Sequence, residues 1–316
     1  MQNKRILAFI LSLLIIMPSC SSASSKLPKK TGNDKSIETS QKEEKITEKQ
    51  EPEKKETEKK EENNKPDLSE NKTQPSNPPS PSEYSNTKRS WYYNPNKTHN
   101  VPEVPNDAKA MLKKYSGYYV GDTSSKVIYL TFDEGYENGY TPKILDILKE
   151  NDVKAAFFVT KPYITQQKDL IKRMVDEGHT VGNHSSTHPS MPSKTSNPES
   201  FKKEFADTAK AFKDVTGKDM PMFFRPPMGE YSEKSLKMTE ELGYKSIFWS
   251  FAHKDWETDN QPGANVSHDR VINGVHNGAI ILLHAVSKSN TEALDLIIKD
   301  LKAQGYTFKT LEDLPQ

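Results

Sequence analysis

The stretch VIYLTFDEGYENGYTPKILDILKE, residues 127–150, decides the fold class of this chain. Residues 127–132 form a continuous run of apolar and β-branched side chains, which is typical of a strand buried on both faces. After a polar, glycine-containing loop, Thr141 and Pro142 begin a helix that runs to Glu150, with proline in the first turn, where no backbone N–H is needed. A buried strand followed by a helix is the repeating unit of a parallel sheet covered by helices.

The same unit recurs to the C-terminus. Further strands are predicted at 155–159, 180–184, 222–225, 246–250, 279–284 and 306–310. Helices are predicted at 107–114, 169–177, 197–216, 232–242 and 291–304, and most of the later ones end at a glycine, the residue preferred for a helix C-cap. Such alternation fits an open sheet or a closed barrel, and a count of about seven strands favours a distorted (β/α) barrel of the α/β class.

Candidate reactive residues fall at the carboxyl ends of the predicted strands, where parallel α/β folds place their sites. These residues are Asp133, Glu134, His184, Arg225 and His284. His188 follows His184 by four residues, a spacing that can bring both imidazoles onto one metal if the chain turns helically there. Histidines at this spacing are also common on protein surfaces, so the pair carries weight only together with the other strand-end residues.

The other strand-end residues each admit two interpretations. Asp133 and Glu134 could supply a general base and a metal ligand, or one of them could only cap a helix. His284 could transfer a proton near neutral pH, or bond a backbone carbonyl in the core. Arg225 could hold a carboxylate through two hydrogen bonds, or only fasten a loop. The convergence of four strand-end segments favours the catalytic interpretation.

Residues 21–90 differ in composition from the rest of the chain. Runs such as KEEK (42–45) and EKKE (53–56), with almost no aromatic or branched apolar residues, predict a disordered tether, because the segment cannot offset its ordering entropy. The 45 basic and 44 acidic residues of the chain nearly cancel, and their signs alternate, which disfavours a nucleic-acid-binding protein. We therefore predict one catalytic domain, residues 91–316, behind this tether.

The first twenty residues predict export. A basic start, MQNKR, precedes an apolar run at 6–17 that has the length of a signal-peptide core and is short for a membrane span. The run ends IMPSC, which resembles a bacterial lipoprotein cleavage box, and Cys20 is the single cysteine of the chain. We expect residues 1–20 to be a lipoprotein signal peptide, with the protein anchored through Cys20 at the outer face of the cytoplasmic membrane or in the cell wall. A plain cleaved signal peptide is the alternative.

Five motifs make the region after residue 90 similar to the polysaccharide deacetylases of the NodB-homology type, carbohydrate esterase family 4. They are TFDE (131–134), HSSTH (184–188), RPP (225–227), DW (255–256) and LLH (282–284), in the order of the family. The longer string TFDEGYENGYT (131–141), with FWS (248–250) before DW, is similar to the δ-lactam-biosynthetic de-N-acetylases of spore formers. That subgroup removes the acetyl group from muramic acid in spore-cortex peptidoglycan.

The resemblance implies a metal-dependent hydrolysis of an acetamide. Asp133 would be the general base, and His184 and His188 would hold a divalent metal, with zinc expected. Glu134 occupies the position of the family's third ligand, an aspartate one methylene shorter, so whether it binds the metal is left open. A backbone N–H near Met228 would help the metal to stabilise the oxyanion.

The resemblance also implies an acid and a substrate groove. His284 would protonate the departing amine, with Asp255 orienting its imidazole, while Arg225 would tether the base. Trp256 and Tyr136 are predicted to line the groove. Trp249 is predicted to be in the core, and His99, His179, His253, His268 and His276 to be structural or exposed.

The resulting prediction is a deacetylase of peptidoglycan that acts on N-acetylmuramic acid, as in muramic δ-lactam formation during sporulation. A deacetylase of N-acetylglucosamine in peptidoglycan or a chitin-like glycan would use the same chemistry and differ only in the groove. A non-catalytic glycan-binding lipoprotein is the alternative of another class, and the intact candidates for base and acid disfavour it.

Overall fold

A computed structural model describes residues 84–315 of the chain. The predicted signal peptide, Cys20 and nearly all of the predicted tether lie outside these residues. No helix between residues 84 and 315 has both the length and the apolar character needed to cross a membrane.

Eleven strands and eight helices are present between residues 84 and 315. The strands are β1 (Arg89–Ser90), β2 (Gly117–Tyr118), β3 (Val127–Glu134), β4 (Ala156–Val159), β5 (Thr180–Asn183), β6 (Phe223–Phe224), β7 (Glu230–Tyr231), β8 (Lys245–Ile247), β9 (Phe251–Ala252), β10 (Ala279–His284) and β11 (Thr307–Phe308). The helices are α1 (Asn106–Lys114), α2 (Thr141–Glu150), α3 (Lys161–Gln166), α4 (Lys168–Asp176), α5 (Pro198–Thr216), α6 (Glu233–Glu241), α7 (Ala264–Gly274) and α8 (Lys288–Ala303).

Nine of the strands form one sheet, in which every pair of adjacent strands is parallel. Its order is β2–β8–β6–β5–β4–β3–β10–β9, and β11 pairs with β3. β8 and β9 are separated by only three residues, yet β8 pairs with β6 and β9 pairs with β10. The short segment from β8 to β9 therefore contributes a strand near each end of the sheet. This connection requires the sheet to curl into an incompletely closed barrel. The predicted α/β fold of the distorted (β/α) barrel type is confirmed.

Helix ends follow their sequence signals. The Asn197 side chain accepts a hydrogen bond from the backbone N–H of Ser200 and begins α5, which ends at Gly217 with a left-handed φ of 72°. The Ser287 side chain accepts from the backbone N–H of Asn290, so α8 starts at Lys288, three residues before the predicted start. The sequence analysis did not predict this cap, because the first turn of α8 contains no apolar residues at helical spacing.

Strand β3 runs through the middle of the sheet with both faces buried. Ile128, Leu130 and Phe132 lie in the large apolar cluster under the helices. Val127 and Tyr129 lie in a second cluster, on the other face of the sheet, that is built mainly from strand residues. Because side chains alternate along a strand, consecutive residues at its carboxyl end point to opposite faces.

Several elements of the structure carried no clear signal in the sequence. Helix α3 has six residues, fewer than two turns, and α7 buries only Ser267 and Val271. Strand β1 pairs antiparallel with β7, and the ring of Tyr84 lies 6.2 Å from that of Tyr115. Residues 84–90, upstream of the predicted domain start at Trp91, thus contact the domain without an apolar pattern of their own.

Candidate active site

A cavity of about 870 Å³ opens at the carboxyl ends of the strands. Seven of the predicted site residues line it: Asp133, Tyr136, His184, His188, Met228, Trp256 and His284. Arg225 and Asp255 lie behind this lining and contact Asp133 and His284, respectively. Glu134 is the one predicted site residue that the structure does not bring to the cavity or to these contacts.

Asp133 ends β3 and is fixed by a buried arginine. Its Oδ1 accepts a hydrogen bond of 2.8 Å from Nη1 of Arg225, and its Oδ2 lies 3.5 Å from Nε2 of His184. Burial raises the pKa of Asp133, but the charges of Arg225 and the neighbouring imidazoles lower it by more, so its pKa lies below its ordinary value. Asp133 is thus a carboxylate at neutral pH, with Oδ2 free of the guanidinium.

Arg225 is wholly inaccessible to solvent. Its Nε donates to the carbonyl of Ile247 at 3.1 Å, and its guanidinium carbon lies 4.2 Å from the centroid of the Phe158 ring. Burial lowers the pKa of Arg225, yet an arginine keeps its charge in proteins. Removing one partner of such a buried ion pair leaves the other unpaired and is strongly destabilising.

His184 is held as a neutral imidazole. Its Nδ1 lies 2.8 Å from the carbonyl oxygen of Arg225, and because a carbonyl only accepts, Nδ1 carries the hydrogen. The other nitrogen, Nε2, then presents a lone pair toward Asp133. Burial lowers the pKa of His184 to about 4.

His188 reaches the same place through an unusual backbone path. Ser185 and His188 both have left-handed φ values, 69° and 54°, which are uncommon for residues other than glycine. The turn brings the ring centroids of His184 and His188 to 4.9 Å. Burial also lowers the pKa of His188, so this imidazole is neutral as well.

Two residues that sequence reasoning missed hold this turn in shape. The buried carboxylate of Glu204, on α5, accepts hydrogen bonds from the backbone N–H groups of Ser186 and Thr187 at 3.1 and 2.8 Å. The Asn183 side chain accepts from the N–H of Ser185 at 2.8 Å. Asn183 precedes the histidine motif directly and could have been noted as a turn residue, whereas Glu204 is distant in sequence and carried no signal.

The structure places the predicted metal ligand Glu134 away from the two histidines. It follows Asp133 on the same strand and therefore points to the helix side, where Thr141 Oγ1 lies 3.3 Å from its Oε1. Burial raises its pKa well above the ordinary value of 4.5. The carboxyl group of Glu134 thus lies on the opposite face of β3 from Asp133.

The residues at the cavity fit a divalent metal only in part. Across residues 84–315, no group of three or more His, Cys, Asp or Glu side chains is arranged to hold a metal. His184 and His188 nevertheless supply two neutral imidazoles, which is the protonation state that binds metals. The donor set therefore fits a metal with two protein nitrogen ligands.

The opposite wall of the cavity carries a different histidine. Nδ1 of His284, at the end of β10, lies 2.7 Å from Oδ1 of Asp255, a carboxylate buried behind it. Burial lowers the pKa of His284, but the hydrogen bond and the charge of Asp255 raise it by more, so its pKa lies above the ordinary value of 6.5. His284 is thereby able to carry a proton near neutral pH.

Three exposed apolar side chains surround the mouth of the cavity. Trp256, Tyr136 and Met228 are 51%, 53% and 56% exposed, respectively. The Trp256 ring lies 5.4 Å from the ring of His284. Met228 has a left-handed φ of 59°. Trp249, predicted to be in the core, packs on core residues and also lines the cavity.

Known proteins are similar to this chain in sequence and in fold. A sequence profile described as polysaccharide deacetylase matches residues 120–247. The chain is 46% identical over 224 residues to the peptidoglycan-N-acetylmuramic acid deacetylase PdaA of Bacillus subtilis, covering 71% of this chain and 84% of that protein. It is 33% identical over 213 residues to a peptidoglycan-N-acetylglucosamine deacetylase of Bacillus cereus, covering 65% of this chain and 74% of that protein. The solved structure of Bacillus subtilis PdaA, a family 4 carbohydrate esterase, is similar with a TM-score of 0.71 and 45% identity, over 73% of this chain and 97% of that one.

Proposed function

The chain belongs to the polysaccharide deacetylase family, carbohydrate esterase family 4, and from this membership we propose that it hydrolyses the N-acetyl group of N-acetylmuramic acid in peptidoglycan. The observation that supports the proposed hydrolysis is that a base and an acid lie on opposite sides of one cavity. Asp133 is an ionised carboxylate on one side, and His284 is a proton carrier on the other. Hydrolysis of an amide needs both, because water must lose a proton and the amine must gain one.

Asp133 is suited to the first proton transfer. Its Oδ1 is engaged by Arg225, so Oδ2 is the oxygen that accepts the proton from the attacking water. The bond from the water oxygen to the acetyl carbon forms as that proton moves. The backbone N–H of Met228, at the edge of the cavity, would donate to the oxygen that becomes negative.

His284 is suited to the second transfer. Because its Nδ1–H is held by Asp255, Nε2 is the nitrogen left to deliver a proton to the sugar nitrogen. The carbon–nitrogen bond breaks as the proton arrives, giving acetate and a free amine. Trp256 and Tyr136 offer apolar faces on which sugar rings can stack at the cavity mouth.

We propose that His184 and His188 hold a zinc ion. A divalent metal at this place would polarise the acetyl carbonyl and lower the pKa of a bound water. The neutral state of both imidazoles supports this assignment.

The site in the cell is a separate proposal that rests on the sequence. The basic and apolar start of the chain and the box that ends at Cys20 support export and a lipid anchor on Cys20. The similarity of residues 131–141 to the δ-lactam-biosynthetic subgroup supports a role in spore-cortex formation. Anchored in this way, the domain would act at the outer face of the membrane or in the wall.

The substrate proposal is tested by mass spectrometry of peptidoglycan fragments, with and without stem peptides, after incubation with zinc-supplied protein. Loss of acetyl groups from muramic acid in stem-free glycan is the expected result. Loss from glucosamine alone would instead assign the second candidate function, which the 33% identity to an N-acetylglucosamine deacetylase favours. Retention of every acetyl group would leave a glycan-binding role.

The metal proposal has its own test. Treatment with a chelator should abolish deacetylation, and zinc should restore it. Titration of the metal-free protein with zinc should show one site, and the His188→Ala variant should bind zinc more weakly than the parent protein. Equal zinc binding by this variant would contradict the assignment of the ligands.

A further inference from the structure

A second cavity of about 350 Å³, the side cavity, adjoins the catalytic cavity. Ala252, in β9, and the next residue, His253, line both cavities, so the two share a wall. The volume of the side cavity falls at the lower end of the range of ligand pockets, which is about 300–1,000 Å³. A glycan strand held in the catalytic cavity has to continue past its mouth, and the side cavity lies directly beside it.

One wall of the side cavity is a face of helix α7. Four residues of α7, at helical spacing, line it: Val266, Asp269, Arg270 and Asn273. The buried residues of α7, Ser267 and Val271, lie between them in the sequence and point into the domain. Val266 is 41% exposed, so an apolar surface is open to solvent beside the charged side chains. Helix α7 thus buries little in the domain and presents its other face to the side cavity.

The opposite wall is the chain before α1. Pro95, Lys97 and Pro102 are among its residues that line the side cavity. The hydroxyl group of Tyr93 accepts a hydrogen bond from the backbone N–H of Ala252 at 2.7 Å and donates one to the Ala252 carbonyl at 2.9 Å. This wall is therefore fastened to β9, the strand that separates the two cavities.

The cationic side chains of the two cavities differ in their partners. Lys254 is the one lysine or arginine that lines the catalytic cavity among the described residues, and its Nζ is paired with the carboxylate of Glu257. Lys97 and Arg270 line the side cavity, and neither forms an ion pair with a carboxylate of residues 84–315. The carboxylate of Asp269 lies in the same cavity, but its Oδ1 faces Nδ1 of His268 at 3.1 Å.

The position of Arg270 indicates what the side cavity can bind. Its Nη1 lies 3.4 Å from Nδ1 of His253, so the guanidinium lies beside the wall that the two cavities share. A guanidinium can hold a carboxylate through two parallel hydrogen bonds. In peptidoglycan, the lactyl group of each muramic acid ends in a carboxylate once the stem peptide has been removed, whereas N-acetylglucosamine is uncharged. The charges of the side cavity therefore match a muramic acid without its stem peptide.

We propose that the side cavity binds the carboxylate of a second muramic acid, in the same glycan strand as the one that reacts, with Arg270 as its main partner. This inference rests on the proposed function, because it takes stem-free peptidoglycan to be the glycan in the catalytic cavity. Arg270 is a binding residue and takes no part in the proton transfers. A contact made equally before and during the reaction changes KM rather than kcat.

The first test is the dependence of deacetylation on substrate length. Stem-free disaccharides contain one muramic acid and tetrasaccharides contain two. For the zinc-supplied full chain, KM should be about tenfold lower for the tetrasaccharide, as one charge-assisted contact would give. In Arg270→Gln, KM for the tetrasaccharide should rise about tenfold. An equal KM for the tetrasaccharide in the parent protein and in Arg270→Gln would overturn the proposal.

The second test asks which carboxylate is recognised. Conversion of the lactyl carboxylates to methylamides removes their charge and keeps the glycan. In the parent protein this change should raise KM for the tetrasaccharide by about tenfold more than KM for the disaccharide. If both rose equally, the recognised carboxylate would belong to the reacting sugar, and the proposal would be wrong.

A matched control is Lys218→Gln, which removes one positive charge. Lys218 is exposed, just after the end of α5, and lines neither cavity. KM for the tetrasaccharide should stay at the parent value in this variant. A rise equal to that of Arg270→Gln would show a general attraction between the protein and an anionic glycan, and would also overturn the proposal.

A binding measurement separates this inference from the proposed function. The probe is a stem-free tetrasaccharide in which methanesulfonamide groups replace the acetamides, so that no acetyl group is available for hydrolysis. In isothermal titration, Arg270→Gln should bind it about tenfold more weakly than the parent and Lys218→Gln proteins. Weaker binding by Arg270→Gln together with an inactive parent protein would contradict only the proposed function. An active parent protein with equal or absent binding in all three proteins would overturn the assignment of the side cavity alone.

Discussion

Two walls of one cavity shift the pKa of the same kind of side chain in opposite directions. On the β5 side, His184 bonds the backbone carbonyl of Arg225 through Nδ1, and burial lowers its pKa to about 4. On the β10 side, His284 bonds the carboxylate of Asp255 through Nδ1, and its pKa is raised despite burial. The atom that faces Nδ1 thus decides whether a buried imidazole is a lone-pair donor or a proton carrier.

The difference has a consequence for the dependence of activity on pH. His184 must be neutral to bind a metal, so activity should fall as the pH drops toward 4. His284 must be protonated to act as an acid, so activity should fall as the pH rises through its pKa, which lies above 6.5. A bell-shaped profile is expected, with one limb from each wall.

The largest effect is expected at Asp133, whose charge raises the pKa of both His184 and His284. Asp133→Asn should lower kcat by about 10²- to 10⁴-fold, because the base is lost. It should also destabilise the fold by about 3 kcal/mol, because Arg225 is left unpaired. Deacetylation rates and urea unfolding measure the two effects. The variant Asp176→Asn, at an exposed position, should change neither. An active Asp133→Asn protein would refute the assignment of the base.

Asp255→Asn would make the wall that holds His284, the acid wall, resemble the wall that holds His184 and His188, the metal wall. An amide in place of the carboxylate removes the charge that raises the pKa of His284, while burial still lowers it. We expect a loss of about 10²-fold in kcat and a shift of the alkaline limb to lower pH. The pH–rate profile is the measurement. If the alkaline limb kept its position, the contrast between the walls would not arise from Asp255.

A smaller effect is expected at Glu204, which holds the turn of the metal wall. Glu204→Gln keeps one oxygen acceptor but loses the second, which Thr187 Oγ1 uses at 2.8 Å. We expect destabilisation of about 2 kcal/mol, from the loss of hydrogen bonds to a charged group, and weaker zinc binding. The acid wall should be unaffected, so the alkaline limb of the pH profile should not move. A shift of that limb would mean that the two walls are coupled through the fold.

The smallest effect is expected at Glu134, because it belongs to neither wall. Glu134→Gln should leave kcat and zinc affinity within about twofold of the parent protein. Because the pKa of Glu134 is raised in the folded protein, its carboxyl group ionises at a lower pH in the unfolded chain than in the folded one. The parent protein therefore loses stability as the pH rises above 4.5. Glu134→Gln has no such group to ionise. The free energy of unfolding of the variant, relative to that of the parent protein, should therefore be constant below pH 4.5 and increase above it. A large drop in zinc affinity would restore Glu134 as a ligand.

The sequence predicted the fold because buried strands and capped helices carry local signals. The predictions of an α/β barrel, of the family and of a polysaccharide deacetylase are confirmed. The roles of individual site residues, the lipid anchor and the identity of the metal stay predictions. The placement of Asp133, His184, Arg225 and His284 at one edge followed from the rule that parallel strands end together.

Two parts of the site were beyond the sequence for different reasons. The opposite directions of Asp133 and Glu134 follow from strand alternation, but β3 is buried on both faces, so no polar–apolar pattern showed where the strand ended. Glu204 and Asn290, whose side-chain amide donates to Asp255, act through contacts that span 18 and 35 positions of the chain. Such contacts are set by packing and leave no spacing to recognise.

The entry of the chain into the domain has a mechanical consequence. The carbonyl of Ser85 accepts from the N–H of Lys234 at 3.0 Å, and the N–H of Trp91 donates to the carbonyl of Gly229 at 2.8 Å. Gly229 lines the catalytic cavity directly after Met228. Tension applied through the predicted tether would therefore be borne beside the cavity mouth, so that pulling on the chain upstream of Ser85 would deform the mouth before the rest of the domain.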